Sequence, residues 1–595
     1  MSERTLADSI EESAKVAPHR GYRFVRNDEL DSEFHTFPAI EERTRKLAGS
    51  LQSLGLRKGD RLALILPESD EFVFTFLAAL RAGIVPVPIY PPTGLGQLSG
   101  YVNNTQHIVR KSAAKCMITI PMIKPMLGSV QEACPDLEKV LTFNSLRDER
   151  SDFKPVTVHI DDTAFLQFTS GSTNKPKGVV LSHANLLANA RSIMSEGLKA
   201  VPGEDTGFTW LPLFHDMGLI GFVLGPMVFA TEVTFMSPLL FLKRPSIWAR
   251  GMSKFGGSIT FGPNFAYALS VKRVKPKDLE GVDLSRWRVA GCGAEPIRAE
   301  TLDSFTDFYA PYGFKKTAFL PAYGLAEATL AVAFSNPVPV DHVKASLLWS
   351  TDEAVPCEAS DPDVLGIVGC GKPFVGHVAQ VFALDDPKCD NPLADRKVGE
   401  IRVKGPSISK GYFDDPELTA KSFIDGWFFT GDLGYTVAGE VFICGRAKDV
   451  IIMNGRNFFP QDIEWEASTI DGVRKGNAVA FGTHGVKQDR ENVVLAFETA
   501  VEDPLALEHM CKAIRSRVQE VVGIMLDDVV PLAPGVLPKT SSGKLQRGKT
   551  RELYDSGMLT KRRSQREADR VDQVMTIAKS QLGYLKLAVF GNKKK

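Results

Sequence analysis

The 595-residue sequence predicts an α/β protein with a large N-terminal domain and a smaller C-terminal domain. Hydrophobic residues make up 44% of the chain and charged residues 24%, which are ordinary values for a globular protein and argue against disorder. Short apolar runs alternate with amphipathic segments over residues 5–194, and the texture changes after residue 398. At about 100–200 residues per domain, the length fits three or more domains, or one large core with a smaller one.

The N-terminal part alternates helices and strands in the way typical of a mostly parallel sheet. Residues 5–16 and 38–55 place apolar side chains at helical spacing, and the second segment ends at Gly55. No period of 20–50 residues repeats, which excludes solenoid and propeller folds. Further strands are predicted at 61–67, 84–90, 116–120 and 165–170, and further helices at 71–83 and 183–194.

Beyond residue 398 the segments GEIRVKG, WFFTGDLG and GEVFICGR predict antiparallel strands joined by tight glycine turns. Two more strands are predicted at 473–483 and 491–500, followed by a helix at 503–523. We place a domain boundary near Arg446–Lys448. The expected division is 1–446 for the large domain, 447–557 for the small domain and 558–595 for a tail.

The net charge of the chain is zero, with 71 Lys and Arg against 71 Asp and Glu. A protein that binds nucleic acid along its whole surface usually has a basic excess, so that class is excluded. The charge is unevenly spread, because residues 561–595 hold ten basic and three acidic residues, a net charge of +7. Residues 1–560 therefore carry a net charge of −7.

Cysteine spacing and the N-terminal sequence indicate a cytoplasmic protein. The eight cysteines are scattered without metal-binding spacing, which is typical of thiols in a reducing compartment. The N-terminal residues contain no apolar segment of a signal peptide. The longest apolar run, 217–230, is shorter than the roughly 20 residues that span a bilayer.

The segment TSGSTNKPKG, residues 169–178, follows a predicted strand and is suited to binding phosphate. Its small residues leave backbone N–H groups free to surround phosphate oxygens, and Lys175 and Lys177 add positive charge. The Walker pattern does not fit it. A Ser/Gly/Lys loop without that exact string would more often be plain solvated surface. The candidate nucleotide-binding residues of this loop are Thr169, Ser170, Gly171, Ser172, Thr173 and Lys177.

This string resembles the phosphate-loop signature of the adenylate-forming (acyl-activating) superfamily. Four more segments resemble that superfamily's motifs in the same order: adenine-stacking AYGLAEAT (322–329), ribose-binding FTGDL (429–433), hinge GRAKD (445–449) and lysine-loop PKTSSGK (538–544). The resemblance implies a large domain of mixed sheets with helices and a small β-barrel-like part, followed by a small mobile α+β domain. It also implies ATP and Mg²⁺ as cofactors.

The resemblance gives single residues roles in adenylation, in which a substrate carboxylate attacks the α-phosphorus of ATP and pyrophosphate leaves. Because two anions must meet, the site needs cations directed at the growing charge. Lys544 would bridge carboxylate and α-phosphate, and Glu327 would hold Mg²⁺. Taken singly, both residues would be read as ordinary surface charges, Glu327 on a helix.

The remaining nucleotide contacts follow from the same motifs. Tyr323 would stack on adenine, Asp432 would accept the ribose hydroxyls, and Arg446 would contact ribose or phosphate. Lys448 lies at the expected hinge. Without the motifs, they would be read as a core tyrosine, a turn aspartate and surface charges. The adenine pocket would be lined by Gly293, Ala294, Glu295, Ala322 and Gly324.

Four segments resemble fatty acyl-AMP ligases, which load acyl carrier proteins or polyketide synthases: 213–218 (LFHDMG), 236–239, 261–267 and 457–464. His215 would lie beside the activated carboxylate; the alternative is a satisfied core histidine. Apolar residues of 217–230 and 261–269 would line an acyl tunnel, or would simply be core.

An insertion is typical of these ligases, shortly after the adenine-stacking helix, where it restrains the small domain and disfavours transfer to free coenzyme A. Residues 335–366 leave room for it. The expected substrate is a medium- or long-chain fatty acid, and the expected acceptor is a carrier protein on a separate chain. The alternatives are an acyl-CoA synthetase and a catalytically silent scaffold.

The tail after residue 560 is not part of the shared pattern. Apolar positions from Val571 to Val589 lie near helical spacing among lysines, which predicts a basic amphipathic helix, although Gly583 weakens that prediction. Such a helix could contact an anionic membrane or an acidic partner. A solvated tail is the alternative. The sequence leaves the oligomeric state open.

Overall fold

The computed structural model describes residues 4–92, 98–146, 152–169, 175–453, 456–484, 491–540 and 544–559. The predicted tail helix lies outside these residues. The first helix, Leu6–Val16, begins at a capping box in which Asp8 and Thr5 satisfy each other's backbone N–H groups. The second, Phe37–Ser53, is followed by Gly55 at φ +92°, a left-handed conformation that favours glycine. Both helices confirm the predicted spacing.

A nine-stranded sheet forms the centre of the large domain. Six neighbouring strands, from Phe319–Gly324 to Gly21–Val25, run parallel, and the outer pairings are antiparallel. Parallel strands place their carboxyl ends at one edge, which is where α/β proteins bind ligands. In spatial order the strands are Lys372–Pro373, Ala331–Phe334, Phe319–Gly324, Val289–Cys292, Ile259–Gly262, Thr206–Thr209, Glu232–Phe235, Gly21–Val25 and Ser32–Thr36.

A second sheet of four parallel strands and a separate antiparallel hairpin lie in the same domain. The hairpin, Thr163–Thr169 with Lys177–Ser182, carries the phosphate-loop sequence between its strands. Loop residues 170–174 lie outside the described part of the chain. The four-stranded sheet consists of Val85–Pro88, Arg61–Leu64, Cys116–Thr119 and Lys139–Thr142.

An antiparallel five-stranded sheet stands where the small barrel-like part was expected. Its strands are Val378–Phe382, Gly399–Lys404, Phe423–Ile424, Trp427–Val437 and Glu440–Arg446. Next to it, Val340–Lys344 and Val364–Val368 form a two-stranded sheet within the predicted insertion.

The small domain has its own strands and helices. Three strands, Val473–His484, Glu491–Thr499 and Asp528–Leu532, form one sheet, and Ile451–Met453 pairs with Arg456–Phe458. The helices Pro460–Ser468, Pro504–Val521 and Arg547–Asp555 complete the domain. This α+β arrangement confirms the fold expected from the sequence.

The remaining helices belong to the large domain. No helix in the described ranges is long and apolar enough to cross a membrane. The helices are Ser69–Arg81, Leu98–Ser112, Gly128–Ala133, His183–Arg191, Asp216–Leu219, Gly225–Val228, Pro238–Lys243, Ser246–Lys254, Asn264–Arg273, Ala299–Tyr309, Ala345–Thr351 and Pro416–Ser422, with π-helical turns at Ser192–Gly197 and Ile220–Leu224.

Candidate active site

A cavity of about 3140 Å³ extends from the carboxyl edge of the parallel strands to the small domain. It brings together predicted site residues that are up to 375 positions apart in the sequence, from Thr169 to Lys544. Ser170, Gly171, Ser172 and Thr173 lie outside the described residues. The predicted site residues that line the cavity are Thr169, Lys177, His215, Gly293, Ala294, Glu295, Ala322, Tyr323, Gly324, Glu327, Asp432, Arg446 and Lys544.

Lys544 lies in the cavity, just before the helix Arg547–Asp555, and its backbone is hydrogen-bonded to Thr540. The hydrogen bonds run from Thr540 N to Lys544 O (2.7 Å) and from Lys544 N to Thr540 Oγ1 (3.0 Å). Burial lowers the pKa of Lys544, while the carboxylates of Asp216 and Glu295 in the large domain oppose that shift. A buried ammonium in this place is well suited to an anionic ligand.

Glu295 connects the predicted adenine loop to the predicted acyl-binding segment. Its Oε1 accepts a hydrogen bond of 2.6 Å from the backbone N–H of Phe265. Burial raises the pKa of Glu295, partly offset by this hydrogen bond and by Lys544. Next to it, a Cβ on Gly293 would lie 2.7 Å from the carbonyl oxygen of Ala322, so only glycine fits there.

His215 lies in the cavity and is paired with a carboxylate that the sequence analysis did not single out. Its Nδ1 is 2.6 Å from Oδ1 of Asp216. Burial would raise the pKa of Asp216, but His215 and Lys544 hold it below its ordinary value, so the group is a carboxylate. The turn before it is fixed by Gln167, whose Nε2 donates to the Phe214 carbonyl at 3.1 Å. Asp216 lies within the LFHDMG motif, so this motif was the sequence feature that could have identified it.

Asp432 is the centre of a three-residue cluster. It is directly paired with Arg446 on the neighbouring strand, and its Oδ1 lies 2.7 Å from Arg446 Nε. Its Oδ2 accepts a hydrogen bond of 2.8 Å from the hydroxyl of Tyr323. The three residues are thereby held in one arrangement at the cavity wall.

The expectation of a helix around Tyr323 is wrong. Tyr323 belongs to the strand Phe319–Gly324, and Glu327 lies in a 3₁₀ turn, Ala326–Ala328. The strand pairs with Val289–Cys292 on one side and with Ala331–Phe334 on the other. This pairing overrides the helical propensity of the alanine-rich sequence.

Glu327 is half-buried at the cavity wall and hydrogen-bonded to a second residue that the sequence analysis missed. Tyr412 donates its hydroxyl to Glu327 Oε1 at 2.7 Å, and burial raises the pKa of Glu327. Lys177 Nζ lies 5.4 Å from the centroid of the Tyr412 ring, so a cation stands beside this pair. No local pattern marks Tyr412, because its contact depends on how the five-stranded sheet packs.

The apolar segments predicted to form an acyl tunnel both line the cavity. Met217 and Phe222 come from the first segment, and Phe261, Phe265 and Leu269 from the second. Residues 216–228 are helical throughout, with a π-helical turn at Ile220–Leu224. The lining of the cavity therefore combines apolar side chains with charged groups.

The predicted insertion packs against the small domain. The ring of Trp349, on the helix Ala345–Thr351, lies with its centroid 5.8 Å from that of Phe458. Asn457 Nδ2 donates to Asp352 Oδ1 at 3.0 Å. These contacts join residues 335–366 to the strand that follows the hinge.

Comparison with known proteins identifies the family. The family described as AMP-binding enzyme matches residues 10–413, more than half of the chain. The chain belongs to the AMP-binding enzyme family. Residues 448–564 match a second family, the AMP domain of Disco-interacting protein 2-like proteins.

Relatives of this AMP-binding enzyme include ligases of fatty acids. A medium-chain-fatty-acid–[acyl-carrier-protein] ligase of Moorena producens, JamA, is 32% identical, over 93% of this chain and 96% of its own. A Caulobacter vibrioides protein provisionally named acyl-CoA synthetase is 35% identical, over 86% of this chain and 88% of its own.

A solved structure supports the same conclusion. It comes from a study of fatty acyl-adenylate ligases from E. coli and L. pneumophila, with 35% identity, a TM-score of 0.87, and coverage of 93% of this chain and 98% of the other. The resemblance to fatty acyl-AMP ligases of the adenylate-forming superfamily is thus confirmed.

The cavity of this AMP-binding enzyme fits the nucleotide that adenylate-forming enzymes use. Burial lowers the pKa values of both Lys448 and Lys544, so the phosphates of ATP would compensate two desolvated cations. Asp432 offers a carboxylate for hydroxyl donors. No group of three or more metal-binding side chains occurs in the part of the chain that the structure describes. One carboxylate, such as that of Glu327, would be enough for Mg²⁺. This ion takes most of its ligands from phosphate oxygens and water.

Proposed function

We propose that this AMP-binding enzyme activates a medium- or long-chain fatty acid with ATP and passes the acyl group to the phosphopantetheine thiol of a separate acyl carrier protein. The observation that carries the proposal is the position of Lys544. Its ammonium enters one cavity whose lining combines charged groups with apolar side chains.

In the first step, a carboxylate oxygen of the fatty acid forms a bond to the α-phosphorus of ATP, and the bond to the pyrophosphate oxygen breaks. Negative charge grows on the α-phosphate oxygens, and Lys544 stabilises it at the junction of the two substrates. His215 orients the carboxylate, and its bond to Asp216 fixes the imidazole.

The charged residues of the cavity hold the nucleotide. Asp432 accepts the ribose hydroxyls, Arg446 contacts ribose or phosphate, and Tyr323 forms part of the adenine site. Thr169 and Lys177 bind the phosphates, together with the motif residues 170–173, which lie outside the described part of the chain. Glu327 would hold Mg²⁺, which would supply positive charge to neutralise the departing pyrophosphate.

The second step requires the small domain to move. We divide the chain at Arg446 and Ala447, and propose rotation about Lys448, which withdraws Lys544 from the cavity. A thiol sulfur then attacks the acyl carbonyl carbon, and AMP leaves with the electrons of the broken C–O bond. The eight cysteines are all unpaired, which supports a cytoplasmic location for this chemistry.

The choice of thiol acceptor rests on the insertion. Its contacts through Trp349 and Asp352 restrain the small domain and so favour a carrier protein over free coenzyme A. The second candidate, an acyl-CoA synthetase, is favoured by the name of the Caulobacter vibrioides relative.

One experiment separates the two candidates. The protein is incubated with ATP, Mg²⁺ and labelled fatty acid until acyl-AMP forms, and then offered either coenzyme A or a holo-acyl carrier protein. We expect rapid acyl transfer to the carrier protein and little acyl-CoA. Rapid acyl-CoA formation would overturn the choice of acceptor, and failure to form acyl-AMP would overturn the proposed function as a whole.

A further inference from the structure

The cavity reaches the surface beside the short helix Pro238–Lys243. Leu239 and Leu242 line the cavity there, and they are 65% and 43% exposed. The helix is anchored from below by Phe241, which is fully buried and stacks on Trp210 with ring centroids 4.0 Å apart. Because Phe241 fixes the helix from the inside, the two leucines remain directed outward.

The exposed leucines are surrounded by positive charge. Lys243 and Arg244 follow Leu242 directly, and Lys272 and Arg273 end the neighbouring helix. Arg273 Nη1 donates to the Leu242 carbonyl at 2.9 Å, which joins the two helix ends. All four basic residues are exposed, and Arg244 has a loose contact of 3.7 Å with Asp28. We call Leu239, Leu242, Lys243, Arg244, Lys272 and Arg273 the mouth patch.

From this arrangement we infer that the mouth patch docks the enzyme on an anionic lipid surface, so that a fatty acid enters the cavity directly from the bilayer. The inference rests on the proposed fatty acid substrate. Exposed leucines insert into the boundary of the acyl chains while nearby lysines and arginines attract anionic headgroups. The patch surrounds the opening through which an apolar chain would pass. Contact with the bilayer would therefore place this opening next to the fatty acids.

The charge of the patch identifies the occupant. Two more exposed lysines, Lys275 and Lys277, lie within four residues after Arg273, whereas residues 1–560 as a whole carry a net charge of −7. An acidic protein could also be attracted, but it would not need exposed leucines at the rim of an apolar cavity. A bilayer uses both features.

Sedimentation with vesicles tests the inference on the full-length protein. Vesicles of phosphatidylglycerol and phosphatidylcholine are compared with vesicles of phosphatidylcholine alone. We compare the wild type with Leu239→Ser/Leu242→Ser and with Lys243→Glu/Arg244→Gln. The matched control, Leu384→Ser/Lys388→Glu, changes a leucine that is 64% exposed and an exposed lysine away from the cavity.

We expect the wild type and the control to bind the anionic vesicles equally. Each patch variant should lower the partition coefficient at least about fivefold, which corresponds to about 1 kcal/mol for a basic residue near an anionic surface. If the patch variants bind the anionic vesicles as well as the wild type does, another surface makes the membrane contact and the inference is overturned. The inference is also overturned if the wild type does not bind these vesicles. Loss of carrier-protein binding in these variants with vesicle binding intact would overturn it as well.

A second measurement separates this inference from the proposed function. Lys243 and Arg244 do not line the cavity, so Lys243→Glu/Arg244→Gln should form acyl-AMP from a short, water-soluble fatty acid at the wild-type rate. The same variant should be at least about fivefold slower with a long-chain acid supplied in anionic vesicles. Equal rates with the vesicle substrate would contradict the inference and leave the proposed function intact.

Discussion

Arg298 Nη2 of the large domain lies 2.9 Å from Asp462 Oδ1 of the small domain, and the two side chains are only 14% and 10% exposed. The same nitrogen donates to the Gln461 carbonyl at 3.1 Å, and the guanidinium lies 5.3 Å from the Trp465 ring centroid. On the other side, the Arg298 backbone N–H donates to Asn264 Oδ1 at 3.1 Å. One arginine thus connects the small domain to the helix Asn264–Arg273, which lines the cavity.

The Arg298–Asp462 pair should favour the domain arrangement that keeps Lys544 in the cavity. Arg298→Ala leaves the buried carboxylate of Asp462 without its ion-pair partner, which raises the free energy of this domain arrangement. We expect at least about tenfold slower acyl-AMP formation, equal to about 1.4 kcal/mol. Transfer from preformed acyl-AMP to the carrier thiol should change much less. Single-turnover measurements of each half-reaction test this.

The control for Arg298 is Lys397→Ala, which removes an exposed ion pair with Glu353 inside the large domain. It should leave both half-reactions unchanged. Equal slowing of the two half-reactions in Arg298→Ala would show that the arginine supports the fold rather than one domain arrangement.

Tyr412 should support Mg²⁺ binding through Glu327. Tyr412→Phe removes the hydroxyl that donates to Glu327 at 2.7 Å and leaves a half-buried carboxylate with less support for its charge. A hydrogen bond to a charged group contributes about 1.5–3 kcal/mol, so the Mg²⁺ concentration for half-maximal adenylation should rise about tenfold or more. Tyr554→Phe, which removes a 2.8 Å bond to Asp528 in the small domain, is the matched control. Identical Mg²⁺ curves for wild type and Tyr412→Phe would refute the role of Glu327.

Trp349 should determine the choice of thiol acceptor. Trp349→Ala removes the ring contact with Phe458, and truncation of a buried tryptophan costs about 3–5 kcal/mol of packing. The small domain should then be less restrained, and the ratio of acyl-CoA to acyl-AMP after incubation with coenzyme A should rise several-fold. Trp427→Ala, in the five-stranded sheet, removes a comparable ring contact with Phe382. A ratio that rises equally in both variants, or in neither, would contradict this role of the insertion.

His183 should make the stability of the large domain depend on pH. Burial lowers its pKa from 6.5 to about 4, and its Nδ1 accepts from the Leu6 N–H at 3.3 Å. As the pH falls below 6.5, the unfolded chain binds a proton that the folded protein does not. Stability is therefore present above pH 6.5 and lost as the pH falls toward 4, by about 2 kcal/mol between pH 7 and pH 5.

Denaturant unfolding at the two pH values measures the contribution of His183. His183→Gln should reduce the loss of unfolding free energy between pH 7 and pH 5, whereas His159→Gln, at an exposed position, should not. An equal pH dependence in wild type and His183→Gln would rule out the buried histidine as its source.

The elements of the fold and the members of the site followed from the sequence, but several of the contacts did not. Lys544, Asp432 and Glu327 meet in one cavity because short motifs fix their identity and the sheets bring their ends together. The resemblance implied a helix in the adenine-stacking segment, whereas Tyr323 lies in a strand that pairs with Ala331–Phe334.

Two of the missed residues, Tyr412 and Arg298, take their role from a partner far away in the chain. Tyr412 meets Glu327 across 85 positions, and Arg298 meets Asp462 across 164. The pKa of Asp216 is held down chiefly by the adjacent His215, and Lys544 of the other domain adds to that effect. Pairs of distant residues are set by domain packing, so a single sequence does not reveal them.

The central claim is that Lys544 promotes adenylation from its place in the cavity. The most direct test measures acyl-AMP formation by Lys544→Ala, with ATP binding measured in parallel. Lys539→Ala, in the same loop but hydrogen-bonded to Asn477 at 2.6 Å, is the matched control. We predict that Lys544→Ala binds ATP but forms acyl-AMP at least about a hundredfold more slowly, as for loss of a group that stabilises transition-state charge, while Lys539→Ala keeps most of its activity. Acyl-AMP formation by Lys544→Ala at the wild-type rate would contradict the account.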